Sequence, residues 1–182
     1  LIQTFAVSLT DERMASGEAA NFIGLKNYID LFQLKPFWGS VGVTVTFTLI
    51  SVSIELVLGI AIALVLNADI KWKGLLRAGI LVPWALPTVV SAKMWNYMLV
   101  DTYGVVNDIL VTRLGIMEEK IAWLAEPGLA LLAVVAVDVW KTTPFVVLLM
   151  MAGLQLVPRG TYEAAEVDGA SDWQKLWRIT LP

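Results

Sequence analysis

Two sets of polar and aromatic side chains lie within otherwise apolar segments of this 182-residue chain. Asp138, Thr142 and Phe145 are separated by four and three residues, which places them on one face of a helix. Trp84 and Thr88 repeat the four-residue interval in an earlier apolar segment. A carboxylate, hydroxyls and aromatic rings at one depth suit a neutral sugar, whose hydroxyls need hydrogen-bond partners and whose C–H faces stack on rings. The predicted chemistry is therefore reversible solute recognition.

Prolines accompany both sets. Pro144 has no N–H to donate to the carbonyl of Trp140, so that oxygen is freed close to Asp138 and Thr142. Pro87 interrupts the turn that carries Thr88, and Ser91 extends the earlier stripe by three residues. Transporter sites are typically found at such interrupted helices near the bilayer midplane.

Each of these residues also has a structural interpretation. Threonine hydroxyls in membrane helices often bond to backbone or to a neighbouring helix, and aromatic rings can simply pack. Asp138 needs a cavity or a partner, because an acid near the bilayer centre costs about 2.5–3.5 kcal/mol. The structural alternative for Asp138 is an ion pair with Lys141, three residues further on.

Other residues of the apolar segments predict contacts between helices. Glu55 and Lys93 are charged groups outside the two stripes, and we interpret them as inter-helix pairing groups. Gly59 and Ala63 are four residues apart, a spacing typical of closely packed membrane helices.

The segments that must position these side chains are long and apolar. Apolar residues make up 58% of the chain and charged residues 16%, where a soluble domain has about half and about a quarter. We predict an all-α, polytopic transmembrane helix bundle, a fragment that lacks the last spans. Its predicted parts are the end of a preceding transmembrane helix (1–9), an extracytoplasmic loop (10–36), a transmembrane helix (38–66), a cytoplasmic turn (67–74), a transmembrane helix (75–100), an extracytoplasmic loop with a short helix (101–127), a transmembrane helix (129–156) and a cytoplasmic loop (157–182).

Basic residues predict this orientation. Lys71, Lys73 and Arg77 crowd one short turn, whereas basic residues are more widely spaced in the loops assigned to the other side. Cytoplasmic loops carry the excess of lysine and arginine, so the turn and the C-terminal tail are predicted to be cytoplasmic.

Composition excludes several classes of function. The chain has no cysteine and no histidine, which excludes disulfides, thiolate or imidazole metal sites and histidine-based catalysis. A net charge of -3 does not indicate the positively charged surface that nucleic-acid binding requires. No G-x-x-x-x-G-K-[ST] loop occurs, so ATP binding by this chain is not expected.

The tail after Pro158 predicts two short helices. Thr161 is the expected N-cap of the first, which should run through Asp168, and Gly169 is the expected turning residue. Ser171 and Gln174 have the spacing of a capping box for a second helix, from residue 172 to about residue 178.

The same tail resembles a known family. Glu163-Ala164-Ala165, Gly169, Ile179 and Leu181-Pro182 occur with the spacing of the "EAA" loop in permease subunits of binding-protein-dependent ABC importers. The runs 138–145 (DVWKTTPF), 152–158 (AGLQLVP) and 167–171 (VDGAS) are similar to the carbohydrate branch of that family, the maltose-type first permease subunit.

The resemblance implies a type I ABC importer permease and a set of partners for it. These would be an ATP-binding subunit, a second homologous permease subunit, an extracytoplasmic sugar-binding protein and the lipid bilayer, in a multi-pass protein of the cell membrane. ATP and Mg²⁺ would be bound by the partner ATPase, with no cofactor in this chain. It also implies that the loop docks on the ATPase and that the two stripes line the solute cavity. The implied coupling residues are Glu163, Ala164, Ala165, Asp168, Gly169 and Ala170.

Alternatives remain from the residues alone. A permease for a polyol, glycerol phosphate or an amino acid would show the same spans, although an anionic solute would need more basic groups at the midplane. An intramembrane enzyme would need a clustered nucleophile or paired acids with a base, and the acids here are scattered along the sequence. A membrane scaffold would need no polar stripe.

Overall fold

The computed structural model describes residues 2–11, 21–68 and 71–181. Their regular structure is helical, apart from one isolated β-bridge between Thr10 and Phe22. The predicted all-α class is confirmed. The helices are α1 Ile2–Ser8, α2 Lys26–Gln33, α3 Lys35–Asn67, α4 Lys73–Ala85, α5 Thr88–Met98, α6 Val105–Asn107 continued by a π-helical segment Asp108–Arg113, α7 Pro127–Leu154, α8 Arg159–Val167 and α9 Asp172–Lys175 continued by a π-helical segment Leu176–Thr180.

The chain divides into two compact units, residues 1–48 and residues 49–182. In the first unit, Asn27 on α2 donates from Nδ2 to the carbonyl oxygens of Ser8 and Thr10, at 2.9 Å each. Ser8 and Tyr28 share a hydroxyl–hydroxyl hydrogen bond of 2.6 Å. The predicted loop 10–36 thus contains an ordered helix, and residues 12–20 of that loop lie outside the described residues.

Two helices are long and apolar enough to cross a membrane, α3 with 33 residues and α7 with 28. At about 1.5 Å per residue they extend roughly 50 and 42 Å, more than the ~30 Å hydrocarbon core. Helix α7 begins with Pro127 at its first position, where a missing N–H costs nothing. Both helices lie within three residues of the predicted bounds 38–66 and 129–156.

The predicted single helix 75–100 is wrong. The segment forms α4 and α5, which meet at an angle of 89°. Leu86 ends α4 in an extended conformation, as a residue before proline prefers, and Pro87 precedes α5. The helical stripe of Trp84, Thr88 and Ser91 is therefore also wrong, because the break separates Trp84 from the other two.

Helices α3 and α7 pack closely in the second unit. A Cβ placed on Gly59 of α3 would lie 2.5 Å from Val146 Cγ1 on α7, so only glycine fits there without movement. Ala63, Leu66, Val147 and Met151 form a buried apolar cluster beside this contact. The close contact predicted at Gly59 and Ala63 is confirmed.

The tail forms two short helices joined by a glycine turn. The predicted N-cap at Thr161 is wrong: Pro158 occupies that position and α8 begins at Arg159. The fixed φ of Pro158 and its extended ψ of 137° redirect the chain earlier than the threonine does. Gly169 has φ +76°, the left-handed conformation that glycine adopts most easily.

The start of α9 agrees with the sequence. Ser171 accepts a hydrogen bond from the Gln174 N–H, and the Gln174 side chain accepts one from the Ser171 N–H. The predicted capping box is therefore confirmed, although the α-helix itself ends at Lys175 and a π-helical segment follows.

Candidate functional site

Asp138, on α7, is held by hydroxyl groups. Its Oδ2 lies 2.6 Å from Ser51 Oγ on α3, and its Oδ1 accepts a longer hydrogen bond of 3.4 Å from Thr142 Oγ1. Ser51 Oγ also lies 3.0 Å from Glu55 Oε1. Ser51 and Glu55 are 1% and 5% exposed, whereas Asp138 is half-buried. Two carboxyl groups therefore meet at one buried hydroxyl between the two long helices.

Lys141 contacts the helix break instead of Asp138. Its Nζ donates to the carbonyl oxygen of Leu86 at 2.7 Å. This carbonyl ends α4, where the helix dipole is negative and the last oxygens lack intrahelical donors. No ion pair joins Asp138 and Lys141 in the part of the chain that the structure describes, so the alternative that paired them is wrong.

Two of the predicted aromatic residues lie together. Trp84 on α4 and Phe145 on α7 stack with ring centroids 6.1 Å apart and an interplanar angle of 11°. Both side chains are exposed, at 50% and 42%. Thr88 is exposed at the first position of α5. The stacked pair thus presents an apolar surface beside the helix break.

The predicted solute-lining residues fall into two pairs. Asp138 bonds to Thr142 and Trp84 stacks on Phe145, while Thr88 has no hydrogen bond or ring contact with either pair. The assignment of these five residues to a solute path remains a prediction. Helix α4 packs against α7, which positions the aromatic pair.

Sequence reasoning missed two groups of this site. Ser51 was not singled out, although it lies four residues before Glu55 and therefore on the same helical face. The Leu86 carbonyl was also missed, and the signal was Pro87 immediately after it. The interpretation of Glu55 as an inter-helix pairing group agrees with its position, but its shared partner is a serine and a second acid.

The predicted coupling residues lie on the surface of the α8–α9 loop. Glu163 and Ala164 are exposed on α8. The other four predicted coupling residues line an open cavity of 340 Å³. Three residues of α9 and its π-helical continuation complete the lining. The cavity residues are Ala165, Asp168, Gly169, Ala170, Gln174, Arg178 and Ile179.

One ion pair joins the two helices of this loop, and a second ion pair lies within α9. Lys175 Nζ lies 2.9 Å from Glu166 Oε1 on α8 and 2.8 Å from Asp172 Oδ1 on α9. The hydrogen bond from Lys175 lowers the pKa of Asp172, and the hydrogen bonds to Asp172 and Glu166 raise the pKa of Lys175. Tyr162 and Thr180 add a hydroxyl–hydroxyl contact of 3.0 Å, so both ends of the loop are fixed to each other.

Curated relatives match most of this chain. The trehalose/maltose transport system permease protein MalF of Thermococcus litoralis is 48% identical over 161 residues, which are 88% of this chain and 54% of that protein. The sulfoquinovosyl glycerol transport system permease protein SmoG of Agrobacterium fabrum is 40% identical, over 98% of this chain and 55% of that protein. The chain thus spans about half the length of these relatives.

A solved structure has a similar fold. It is the crystal structure of a bacterial alginate ABC transporter in complex with an alginate pentasaccharide-bound periplasmic protein. One of its chains matches with a TM-score of 0.74 and 28% identity, over 88% of this chain and 55% of that one.

A family model matches residues 55–182, which include Glu55, Asp138, the helix break and the α8–α9 loop. Its description is "Binding-protein-dependent transport system inner membrane component". Because this match covers more than two thirds of the chain, the protein belongs to the family of inner membrane components of binding-protein-dependent transport systems.

Proposed function

We propose that this chain is part of the permease subunit of an ATP-driven importer that moves a carbohydrate into the cytoplasm. The observation that carries the proposal is the α8–α9 loop, a rigid pair of helices with exposed small residues and a left-handed glycine turn. Family membership supports transport, and the solutes named for the relatives support a sugar or a sugar derivative.

The proposed solute contacts combine acceptors with an aromatic platform. Asp138 is half-buried and has lone pairs left after its contacts with Ser51 and Thr142. A sugar hydroxyl could donate to these, while a sugar face stacks on the exposed rings of Trp84 and Phe145. Thr88, at the start of α5, would supply a further hydroxyl.

The α8–α9 loop is proposed to dock on a separate ATP-binding subunit. Glu163 is exposed and has no ion-pair partner among the described residues, so its charge is available to a basic or polar group. The 340 Å³ cavity beside Gly169 is a recess for a side chain of the partner. ATP and Mg²⁺ would be bound by that subunit, and this chain would hold no cofactor.

The remaining proposed partners complete an importer. A second homologous permease subunit would supply the other half of the solute path, and an extracytoplasmic binding protein would deliver the sugar. The protein would be a multi-pass component of the cell membrane, with residues 67–77 and 157–182 in the cytoplasm and 10–36 and 101–127 outside. Single cysteines, introduced into this cysteine-free chain within the full permease, would report the topology with an impermeant thiol reagent on intact cells. Labelling of the tail before the outer loops would contradict the orientation.

Reconstitution tests the transport function directly. The full permease with its partner subunits is placed in liposomes, and ATP hydrolysis is measured with and without sugar-loaded binding protein. Stimulation by a sugar-loaded protein, together with sugar uptake, supports the proposal. Stimulation by an amino acid or polyol system instead would reject the solute class but keep the importer, and hydrolysis that responds to no binding protein would reject both.

A further inference from the structure

Two oxygen–oxygen contacts meet at Ser51 Oγ between α3 and α7, and each needs a hydrogen atom, but the hydroxyl supplies only one. Ser51 Oγ is 3.0 Å from Glu55 Oε1 and 2.6 Å from Asp138 Oδ2. A serine hydroxyl has one hydrogen, and an ionised carboxylate only accepts. If both acids were ionised, the serine could donate to only one of them. The serine oxygen would then face an oxygen of the other carboxylate with no hydrogen between them.

Charge leads to the same conclusion. Two ionised carboxyls around one buried hydroxyl would repel each other, and a proton on one of them removes this repulsion. Ser51 is 1% exposed and Glu55 5%, so water does not screen the pair well.

Neither α3 nor α7 supplies a positive side chain to the pair. Helix α3 carries no charged residue after Lys35 except Glu55, and α7 carries only Asp138 and Lys141. Lys141 donates to the Leu86 carbonyl.

The neighbouring helices do not supply a counter-ion either. Helix α4 carries Lys73, which donates to the Asn67 carbonyl, and Arg77, whose Nε has no hydrogen-bond partner. Helix α5 carries Lys93 and Tyr97, both exposed. Among the described residues, no ion pair reaches either acid.

We infer that Ser51, Glu55 and Asp138 hold one shared proton and form a proton-dependent clasp between α3 and α7. The proton lies on one carboxyl, which donates to Ser51 Oγ, and the serine donates to the other carboxyl. Every contact in the group is then a hydrogen bond, and its net charge is -1. Ser51 and Glu55 act as positioning residues that orient Asp138. The inference depends on these contacts alone and holds whatever solute the permease carries.

A clasp of this kind makes stability depend on pH in a defined direction. The folded protein keeps one proton that the unfolded chain has released above about pH 5. The folding equilibrium constant therefore falls about tenfold for each unit of rising pH, relative to a variant that needs no proton. Glu55→Gln is that variant, because its amide supplies the missing hydrogen permanently.

The experiment compares unfolding of the full permease in detergent from pH 6 to pH 8. We expect wild type to lose about tenfold in the equilibrium constant per pH unit relative to Glu55→Gln, and Glu119→Gln, in an exposed loop, to follow wild type. Asp138→Asn serves as a second neutral variant if Glu55→Gln does not fold. Equal slopes for wild type and the neutral variant would overturn the inference.

Infrared spectroscopy adds a readout that a merely structural role would not change. Wild type should show the C=O band of a protonated carboxylic acid, and both neutral variants should lack it. A wild-type band that persists in Glu55→Gln would place the proton elsewhere and overturn the inference. Stabilisation of wild type by sodium chloride but not by choline chloride, without a pH slope, would show a sodium ion in place of the proton, which also overturns it.

Discussion

The left-handed turn at Gly169 gives a direct test of the proposed coupling loop. Gly169 has φ +76°, and a Cβ added there would meet no heavy atom within 4 Å. Gly160→Ala is the matched control, because Gly160 lies in α8 and a Cβ added there also meets nothing within 4 Å. The two substitutions add the same methyl group in open space and differ only in backbone conformation.

The magnitude follows from that difference. A Cβ in the left-handed region costs about 1–2 kcal/mol, whereas alanine within a helix is favoured over glycine by up to about 1 kcal/mol. Gly169→Ala would relieve its strain by opening the turn, and docking on the ATPase would have to close it again. The dissociation constant of the ATP-binding subunit should therefore rise about 5- to 30-fold. Gly169→Asn should have a smaller effect, because asparagine visits this conformation more readily.

The assay titrates the purified ATP-binding subunit against the full permease in lipid nanodiscs. Binding-protein-stimulated ATP hydrolysis and sugar uptake are then measured in liposomes for the same variants. We expect Gly169→Ala to bind weakly and Gly160→Ala to bind as wild type does. Binding of Gly169→Ala within twofold of wild type would refute the role of the turn.

Three further predictions concern the membrane helices. Gly59→Ala should destabilise the permease by about 1–3 kcal/mol through overpacking, measured as a lower thermal midpoint in detergent, whereas Gly79→Ala, with open space at its Cβ, should not. Asp138→Leu should raise the half-saturating sugar concentration about 10- to 150-fold, because it removes a charged acceptor worth about 1.5–3 kcal/mol. Asp138→Asn should raise that concentration less. Normal uptake by the leucine variant would reject Asp138 as a ligand. Lys141→Met should leave the Leu86 carbonyl without its donor and reduce uptake, whereas Lys141→Arg should retain it, and equal uptake by both would contradict a role for this bond.

Helix type and position could be predicted where one local rule decides the outcome. The long apolar segments specify α3 and α7, because a backbone in lipid must satisfy its own hydrogen bonds. The Ser171–Gln174 capping box depends on residues three apart, and the turn at Gly169 depends on one residue type. These features need no knowledge of distant parts of the chain.

Other features depend on contacts that spacing cannot reveal. The prolines of the second span indicate an interruption, but their spacing does not give the 89° angle between α4 and α5. Closeness in sequence makes Lys141 a candidate partner of Asp138, yet the end of α4 brings the Leu86 carbonyl within 2.7 Å of Lys141 Nζ. Ser51 is separated from Asp138 by 87 positions, so only the pairing of α3 with α7 shows their contact.

Lys175 forms an ion pair with Asp172 in the α8–α9 loop that stays charged over a wide range of pH. Because the pKa of Asp172 is lowered, its ion pair is present at neutral pH and is lost only as pH falls through that lowered value. Because the pKa of Lys175 is raised, its contribution is lost only as pH rises through that higher value. A change of pH between these limits leaves both members of the Lys175–Asp172 ion pair charged. The Lys175–Asp172 contact is therefore a constant feature of the surface that is proposed to dock, and it does not serve as a pH switch near neutrality.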